Sequence, residues 1–290
     1  MSGRIAVTGA LGFVASRLFP RLPGAPRPIA IVRPGHDAGA LAAFDVEVRR
    51  CELAAPTPDA FAGAEAVVHL AGMSLATALV PAWEAAGVER VVCVSSAGVH
   101  TRLPSAGAEA KRRGEAALAG SRLQWTVLRP SMIYGTPRDR NLVRLLRWIA
   151  RCPCVPLPGG GATPQQPVHV DDLVHAILAA LERREAAGRA YDVGGPEPLS
   201  LRELVAECAS ALGRPAFVVP VPLAPAWHAT RLLRRLGLPW PVRPEQVLRL
   251  AESKAVDIGP AMADLGFAPR VFRDGIRAEV SELRNAGHGA

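Results

Sequence analysis

Lysine and tyrosine are almost missing from this chain: only Lys111 and Lys254 among its 34 basic residues are lysine, and Tyr134 and Tyr191 are its two tyrosines. Five cysteines, an odd number, exclude a closed disulfide framework. The start, Met1-Ser2-Gly3-Arg4-Ile5, lacks the apolar stretch of a secretory signal. Both features lead us to expect a reducing, cytoplasmic setting. Apolar runs long enough to span a membrane are lacking too. The 18 residues from Ala66 to Trp83 carry no formal charge, but His69, Gly72, Ser74, Thr77 and Pro81 punctuate them. A buried strand followed by a broken helix is therefore expected there, not a membrane span.

What is present fits a globular α/β protein. The 290 residues are 49% hydrophobic and 21% charged, enough chain for one large domain or a domain with a smaller lobe. The net charge of +8 comes from arginine, in a chain also rich in Ala, Gly and Pro, so a coding bias accounts for the excess. Against that bias a retained lysine marks a place where a compact ammonium does what a guanidinium does not.

Short β-branched runs alternate with helical stretches through the first half, the pattern of a parallel sheet wrapped by helices. The strands expected are Arg4–Val7, Pro28–Val32, Val46–Arg50, Ala66–Leu70, Arg90–Val94 and Gln124–Leu128, with crossovers over Gly12–Arg21, Ala38–Phe44, Pro58–Ala62, Leu75–Ala86 and Ala108–Ala119. Pro153–Pro167, with its Pro-Leu-Pro-Gly-Gly-Gly run, reads as a mobile loop leaving the sheet. Beyond it, helices are expected over Asp171–Glu185, Leu201–Leu212, Leu223–Leu236 and Pro244–Glu252, with a strand near Ala190–Val193. This predicts a Rossmann-type, doubly wound parallel sheet over residues 1–150, a return to it over about 165–195, and a smaller, mostly helical carboxy-terminal lobe within 151–290.

The first strand runs into Thr8-Gly9-Ala10-Leu11-Gly12-Phe13-Val14-Ala15, a glycine turn that opens a helix. Gly9 permits the turn, Gly12 lets backbone approach a pyrophosphate, and the helix start offers amide N–H groups to the anion; Ala15 supplies the third small position. At the end of the second strand stands Arg33, with no acid before Asp37, which favours NADP(H) over NAD, since an arginine suits a 2′-phosphate and a carboxylate a 2′-hydroxyl. Glu52 reads equally well as an adenine contact or a solvated turn residue.

Several ordered segments resemble the extended short-chain dehydrogenase/reductases, the epimerase/dehydratase superfamily. They are Thr8-Gly9-x-x-Gly12-Phe13, His69-Leu70-Ala71-Gly72, Val94-Ser95-Ser96-x-x-Val99, Lys111 with Gly114-Glu115, Leu128-Arg129-Pro130-x-x-Ile133-Tyr134-Gly135 and Pro167-Val168-His169-Val170-Asp171-Asp172-Leu173. Arg138–Asn141 and Pro156–Gly161 are similar to an atypical branch that includes the nucleotide-binding accessory subunit of respiratory complex I. The resemblance implies a cofactor site formed by Thr8, Gly9, Gly12, Phe13, Arg33, His69, Ala71, Gly72, Ser95, Lys111 and Pro130, with Ser96, Lys111 and Tyr134 on the nicotinamide side. The family's proton-transferring tyrosine stands four residues before its lysine; here that residue is Gly107.

Three readings stay open. Another group, Lys111, His100 or Tyr134, transfers the proton in an oxidoreductase or epimerase acting on a polar, nucleotide-linked or prenylated small molecule. Alternatively the chain binds NADP(H) without turnover, as a structural or redox-sensing module. In the third, dehydration or isomerisation proceeds from a carboxylate such as Glu109.

Cys152-x-Cys154 is too isolated from other ligands for a zinc site, and no metal is expected. His169 with Asp171-Asp172 reads as a strand-to-helix junction. Arg140, Arg144, Arg147 and Arg151 form a basic helix face opposite Leu142, Leu145, Leu146 and Ile149, and Cys208–Pro244 holds five arginines, Trp227 and Trp240 with no acid. Such helices pack into a lobe, cover a pocket, or lie on the inner face of an anionic membrane as a peripheral scaffold would. No nucleic-acid module accompanies the charge, and the sequence leaves the oligomeric state unknown.

Overall fold

Continuous apolar runs, not alternating ones, mark the strands at the heart of the fold. In the computed structural model, which describes residues 3–24, 26–139, 141–237 and 252–285, β1 (Ile5–Thr8), β2 (Ile29–Val32) and β4 (Ala66–His69) are buried at every position. A parallel strand covered by helices on both faces needs that composition. They join β3 (Glu47–Arg50), β5 (Arg90–Val94), β6 (Gln124–Pro130) and the strand Arg189–Val193 in a seven-stranded sheet. Its order, counting Arg189–Val193 first, runs through β6, β5, β4, β1, β2 and β3, and every pairing is parallel. This is the Rossmann-type doubly wound sheet, with a seventh strand added to the six expected first.

The chain forms two compact units. The first holds residues 1–130, 170–193 and 257–268. It contains α1 (Phe13–Leu18), α2 (Ala76–Ala85), α3 (Ala106–Ala119), α5 (Val170–Glu182) and the short helix Gly259–Leu265. Phe61, Leu79, Trp83 and Leu118 are fully buried in its core. Of the five expected crossovers α1, α2 and α3 are α-helical. Gly39–Ala43 and Pro58–Phe61 are 3-10 turns, too short to complete an α-helical ladder. The second unit, residues 131–169, 194–256 and 269–290, contains α4 (Leu142–Arg151), α6 (Leu201–Leu212), α7 (Leu223–Arg235) and the helix Phe272–Asn285, with three two-stranded sheets. Within it Glu279 is fully buried, accepts from the Gly135 amide, and is pushed up to about 8, first by burial and next by Asp139.

Two expectations need correction. Helix α2 continues through Pro81 instead of breaking. Pro81 and Thr77, whose carbonyl loses its donor there, are both solvent-exposed, so water replaces the missing bond. Residues 153–167 are not a loop: Cys154–Pro158 pairs with Phe217–Val221, and Pro164–Gln165 with Leu199–Ser200. Between them Gly159, Gly160 and Gly161 all take positive φ, a reversal open to glycine. The helix expected over 244–252 falls outside the described residues except Glu252, which is not helical. Among the described residues no helix is long and apolar enough to cross a membrane.

Helix α3 reaches its place through one glycine. A Cβ on Gly114 would sit 1.9 Å from the Met73 carbonyl oxygen, so no side chain fits where α3 meets the turn before α2. Gly114→Ala should destabilise the protein by about 1–3 kcal/mol, as overpacking does, measured by urea denaturation; an unchanged midpoint would show that α3 can shift freely.

Candidate cofactor and active site

The candidate site residues of the first unit gather at the carboxyl ends of its parallel strands, where open α/β sheets place ligands. Beyond β1, Gly9 takes φ +69° and its carbonyl accepts from the Gly12 amide at 2.8 Å. A Cβ on Gly9 would lie 2.8 Å from the Leu70 carbonyl carbon and 2.9 Å from the Ala71 nitrogen. The glycine turn and the turn after β4 are thus in backbone contact. No side chain caps the start of α1, no acid lies in its first turn, and Gly12 is exposed. A chain lying over Gly12 meets backbone amides with no side chain in the way, so these residues fit a pyrophosphate. Ala15 is fully buried, as close helix-to-strand packing requires.

Thr8 and His69 shape that cradle from beneath. Both are fully buried. The His69 Nε2–H donates to the Gly72 carbonyl at 2.9 Å, which leaves Nδ1 to accept from the Thr8 hydroxyl at 2.7 Å. Burial holds the imidazole neutral and lowers its pKa to about 4. These side chains brace the turn and do not reach a ligand themselves. Ala71 and Gly72 are half-buried at the surface of the same turn, and Phe13 is half-buried at the start of α1.

At the end of β2, Arg33 is exposed, and the carboxylate of nearby Asp37 accepts from the Gly39 amide. Arg50, at the end of β3, donates to the carbonyls of Arg33 and His36 at 3.4 and 3.0 Å. Two guanidiniums therefore stand at adjacent strand ends. Arg50 was not among the residues singled out by sequence, because only the pairing of β2 with β3 makes it a neighbour of Arg33. Glu52, further along, accepts from the Ala54 amide.

The ends of β5 and β6 carry a charged network. Ser95 donates to Glu115 on α3 at 2.5 Å, and Arg129 donates to the same carboxylate with a shortest contact of 2.6 Å. Ser95 is thereby engaged in bracing strand ends against α3, and Pro130 is buried at the end of β6. Ser96 accepts from the Gly98 amide and opens the short helical turn Ala97–His100. Lys111 is half-exposed on α3 and donates to the carbonyl of Gly107, at 3.3 Å. His100 Nε2 donates to both oxygens of Asp192 at 2.9 and 3.0 Å. Arg112 donates to the carbonyls of Val99 and Thr101, the two neighbours of His100, and so fixes the backbone that carries it. Glu109, the alternative carboxylate, is exposed and 3.8 Å from Arg113.

Tyr134 belongs to the second unit. It is fully buried in the second unit, edge-on to His169 at 5.3 Å and tilted against Phe272 at 5.0 Å, and its hydroxyl donates toward the Phe272 carbonyl at 3.5 Å. A Cβ on Gly275 would lie 2.2 Å from that hydroxyl. The Tyr134 ring and hydroxyl pack within the core of that unit. In the first unit, Asp171 pairs with Arg21 at 3.1 Å at the start of α5. Cys152 and Cys154 are free thiols, and no cluster able to hold a metal ion occurs among the described residues.

Comparison with known proteins agrees with this geometry. The sequence model of the NAD(P)H-binding family matches residues 9–147. The chain is 33% identical over 185 residues to the NADH dehydrogenase [ubiquinone] 1 alpha subcomplex subunit 9 of Arabidopsis thaliana, covering 62% of this chain and 46% of that one. It is 30% identical over 169 residues to the 2-alkyl-3-oxoalkanoate reductase of Stenotrophomonas maltophilia, covering 53% and 50%. To the 2'-dehydrokanamycin reductase of Streptomyces kanamyceticus it is 30% identical over 258 residues, covering 79% and 72%. The chain thus spans about half the length of the first two relatives and more of the third. Among solved structures, the crystal structure of gox2253 superposes with a TM-score of 0.80 at 24% identity, covering 99% of this chain and 100% of that one. The UDP-glucuronic acid 4-epimerase from Bacillus cereus in complex with NAD gives 0.76 at 18% identity, covering 98% and 99%. At these identities the structures share the fold.

The buried imidazole gives a pH test. His69 titrates near 4 in the fold against an ordinary 6.5, so the unfolded chain binds a proton that the folded one excludes. Stability is full above pH 6.5 and falls by about 3 kcal/mol toward pH 4 through this residue. Urea midpoints across that window should slope downward with acid, and His69→Gln should flatten the slope.

Proposed function

The chain belongs to the NAD(P)-binding extended short-chain dehydrogenase/reductase superfamily, of epimerase/dehydratase type, and on that premise we propose that it is an NADP(H)-dependent reductase of a carbonyl on a polar small molecule. The observation that carries the choice of cofactor is the pair Arg33 and Arg50 at adjacent strand ends, with the Asp37 carboxylate turned to backbone. A 2′-phosphate meets two cations there, and the Asp37 carboxylate already accepts from the Gly39 amide. Two of the relatives named above are reductases, which supports the reaction class. Nucleotide-linked and prenylated carbonyl compounds are the substrates to test first.

In this reading the backbone of Gly9–Phe13 holds the pyrophosphate and Lys111 the ribose beside the nicotinamide. The bound dinucleotide would supply a hydride to the carbonyl carbon. Gly107 stands where the family's tyrosine would be, and His100 takes over its role. As an imidazolium whose Nε2–H is held by Asp192, His100 would give its Nδ1 proton to the carbonyl oxygen as the carbon accepts the hydride, leaving the ring neutral. Ser96 orients the carbonyl. A second reading, an NADP(H)-binding module without turnover, is favoured by one observation: the Lys111 ammonium faces back onto the Gly107 carbonyl where a tyrosine would stand.

Two measurements decide between them. Arg33→Ala and Arg50→Ala should each weaken NADPH about 10- to 100-fold, the worth of a charge-assisted hydrogen bond, while changing NADH little, by calorimetric titration. Equal losses for both cofactors would remove the 2′-phosphate reading. His100→Gln should lower kcat for NADPH-dependent carbonyl reduction by about 10²- to 10⁴-fold with unchanged NADPH affinity. Tight NADPH binding with no turnover by the unmodified protein, across quinones, aldehydes and nucleotide sugars, would favour the module.

A further inference from the structure

The second unit exposes an apolar face that its own packing does not explain. In the parallel pair of Cys154–Pro158 with Phe217–Val221, Val155 and Leu157 are buried and Val218 packs on the same core. The other face of that ribbon carries Cys154, Pro156, Phe217 and Val219, all exposed. Phe217 is 62% exposed and Val219 43%. Trp148 continues the patch: it is 49% exposed on α4, and its indole N–H donates to the Cys154 carbonyl at 2.9 Å.

Cations surround this patch. Arg144 and Arg151 are exposed on the face of α4 that holds Trp148, four residues before and three after it. Arg214 is exposed and donates to the Ala150 carbonyl at 2.7 Å, which brings the segment before Phe217 to the end of α4. The sequence contains no acid between Asp139 and Asp171 or between Glu207 and Glu245. The acids of α6, which packs on α4, are engaged elsewhere: Glu203 with the amide of Ser200 and Glu207 with Arg273.

From this arrangement we infer that the ribbon and the outer face of α4 form a docking surface for an anionic lipid bilayer. An apolar centre with an indole at its edge and arginines around it matches the interface, where arginines meet headgroup phosphates and Phe217 and Val219 enter the acyl boundary. A second copy of this chain would set the same arginines against each other. A nucleic acid would leave Phe217, Val219 and Pro156 against a polar backbone. The surface lies wholly in the second unit, so the inference is independent of the cofactor reading.

The test is cosedimentation of the full chain with vesicles of phosphatidylcholine alone and of phosphatidylcholine with phosphatidylglycerol, at low and high salt. Binding should require the anionic lipid and weaken with salt. Phe217→Ser with Val219→Ser, and separately Arg144→Gln with Arg151→Gln, should each weaken binding at least tenfold. These exposed positions should leave the thermal midpoint and NADPH binding unchanged. Absence of binding to anionic vesicles at low salt, equal binding by both variants, or a concentration-dependent dimer abolished by Phe217→Ser would overturn the inference. Preference for duplex DNA over anionic vesicles would overturn it as well.

Discussion

The contact on which the candidate site depends is the backbone approach of the turn after β1 to the turn after β4. Strands β1 and β4 pair residue for residue, so Thr8 stands beside His69 and the two turns leave the sheet together. Their separation is then set by what lies between them. Gly9 contributes no side chain at a place where a Cβ would strike the Leu70 carbonyl carbon. His69 spans from the Thr8 hydroxyl to the Gly72 carbonyl and cannot move without leaving a buried polar group unpaired. Helix α3 is placed by the same turn, because Met73 is what Gly114 meets. Lys111 and Glu115 lie on α3, so the charged network at the ends of β5 and β6 inherits its position from the turn after β4.

Charge at these strand ends is distributed unevenly. On the β5 and β6 side each carboxylate has a partner: Glu115 takes Ser95 and Arg129, and Asp192 takes His100. On the β2 and β3 side the guanidiniums of Arg33 and Arg50 stand near Asp37 and Glu52, whose carboxylates each accept from a backbone amide. One end of the row pairs its charges side chain to side chain, and at the other neither Arg33 nor Arg50 pairs with a carboxylate among the described residues. A dinucleotide with an added phosphate at its adenosine end has the complementary distribution.

Much of the sheet was legible in the sequence because strands buried on both faces leave dense apolar runs that few other structures tolerate. The glycine turn was legible for a related reason, since steric exclusion at Gly9 permits one residue type. What failed were features set by distant contacts. The burial of Tyr134 against Phe272 and Gly275 is one, since no local pattern links those residues to it. The pairing of His100 with Asp192 depends on register in a sheet edge 92 residues away. Pro81 and the three glycines at 159–161 follow the rules for breaking residues, but solvent access at Thr77 and left-handed turns between short strands changed the outcome.

Arginine abundance is more than a compositional accident in this fold, because the guanidinium fork is used where helices end. The last carbonyls of a helix have no partners of their own and carry the negative end of its dipole. Arg90 reaches from the start of β5 to Ala180 near the end of α5, Arg214 to Ala150 near the end of α4, and Arg284 to Leu212 at the end of α6. Each donor comes from a different element, so every such bond also ties two elements together. Arg90 does so from a buried position: its Nη2 also lies within bonding distance of the Thr126 hydroxyl and the Arg183 carbonyl, while Nη1 reaches the Gln124 carbonyl. The chain's positive charge is therefore partly a by-product of how its helix ends are closed, and Arg214 does both at once: its fork closes α4 while its charge stays at the surface.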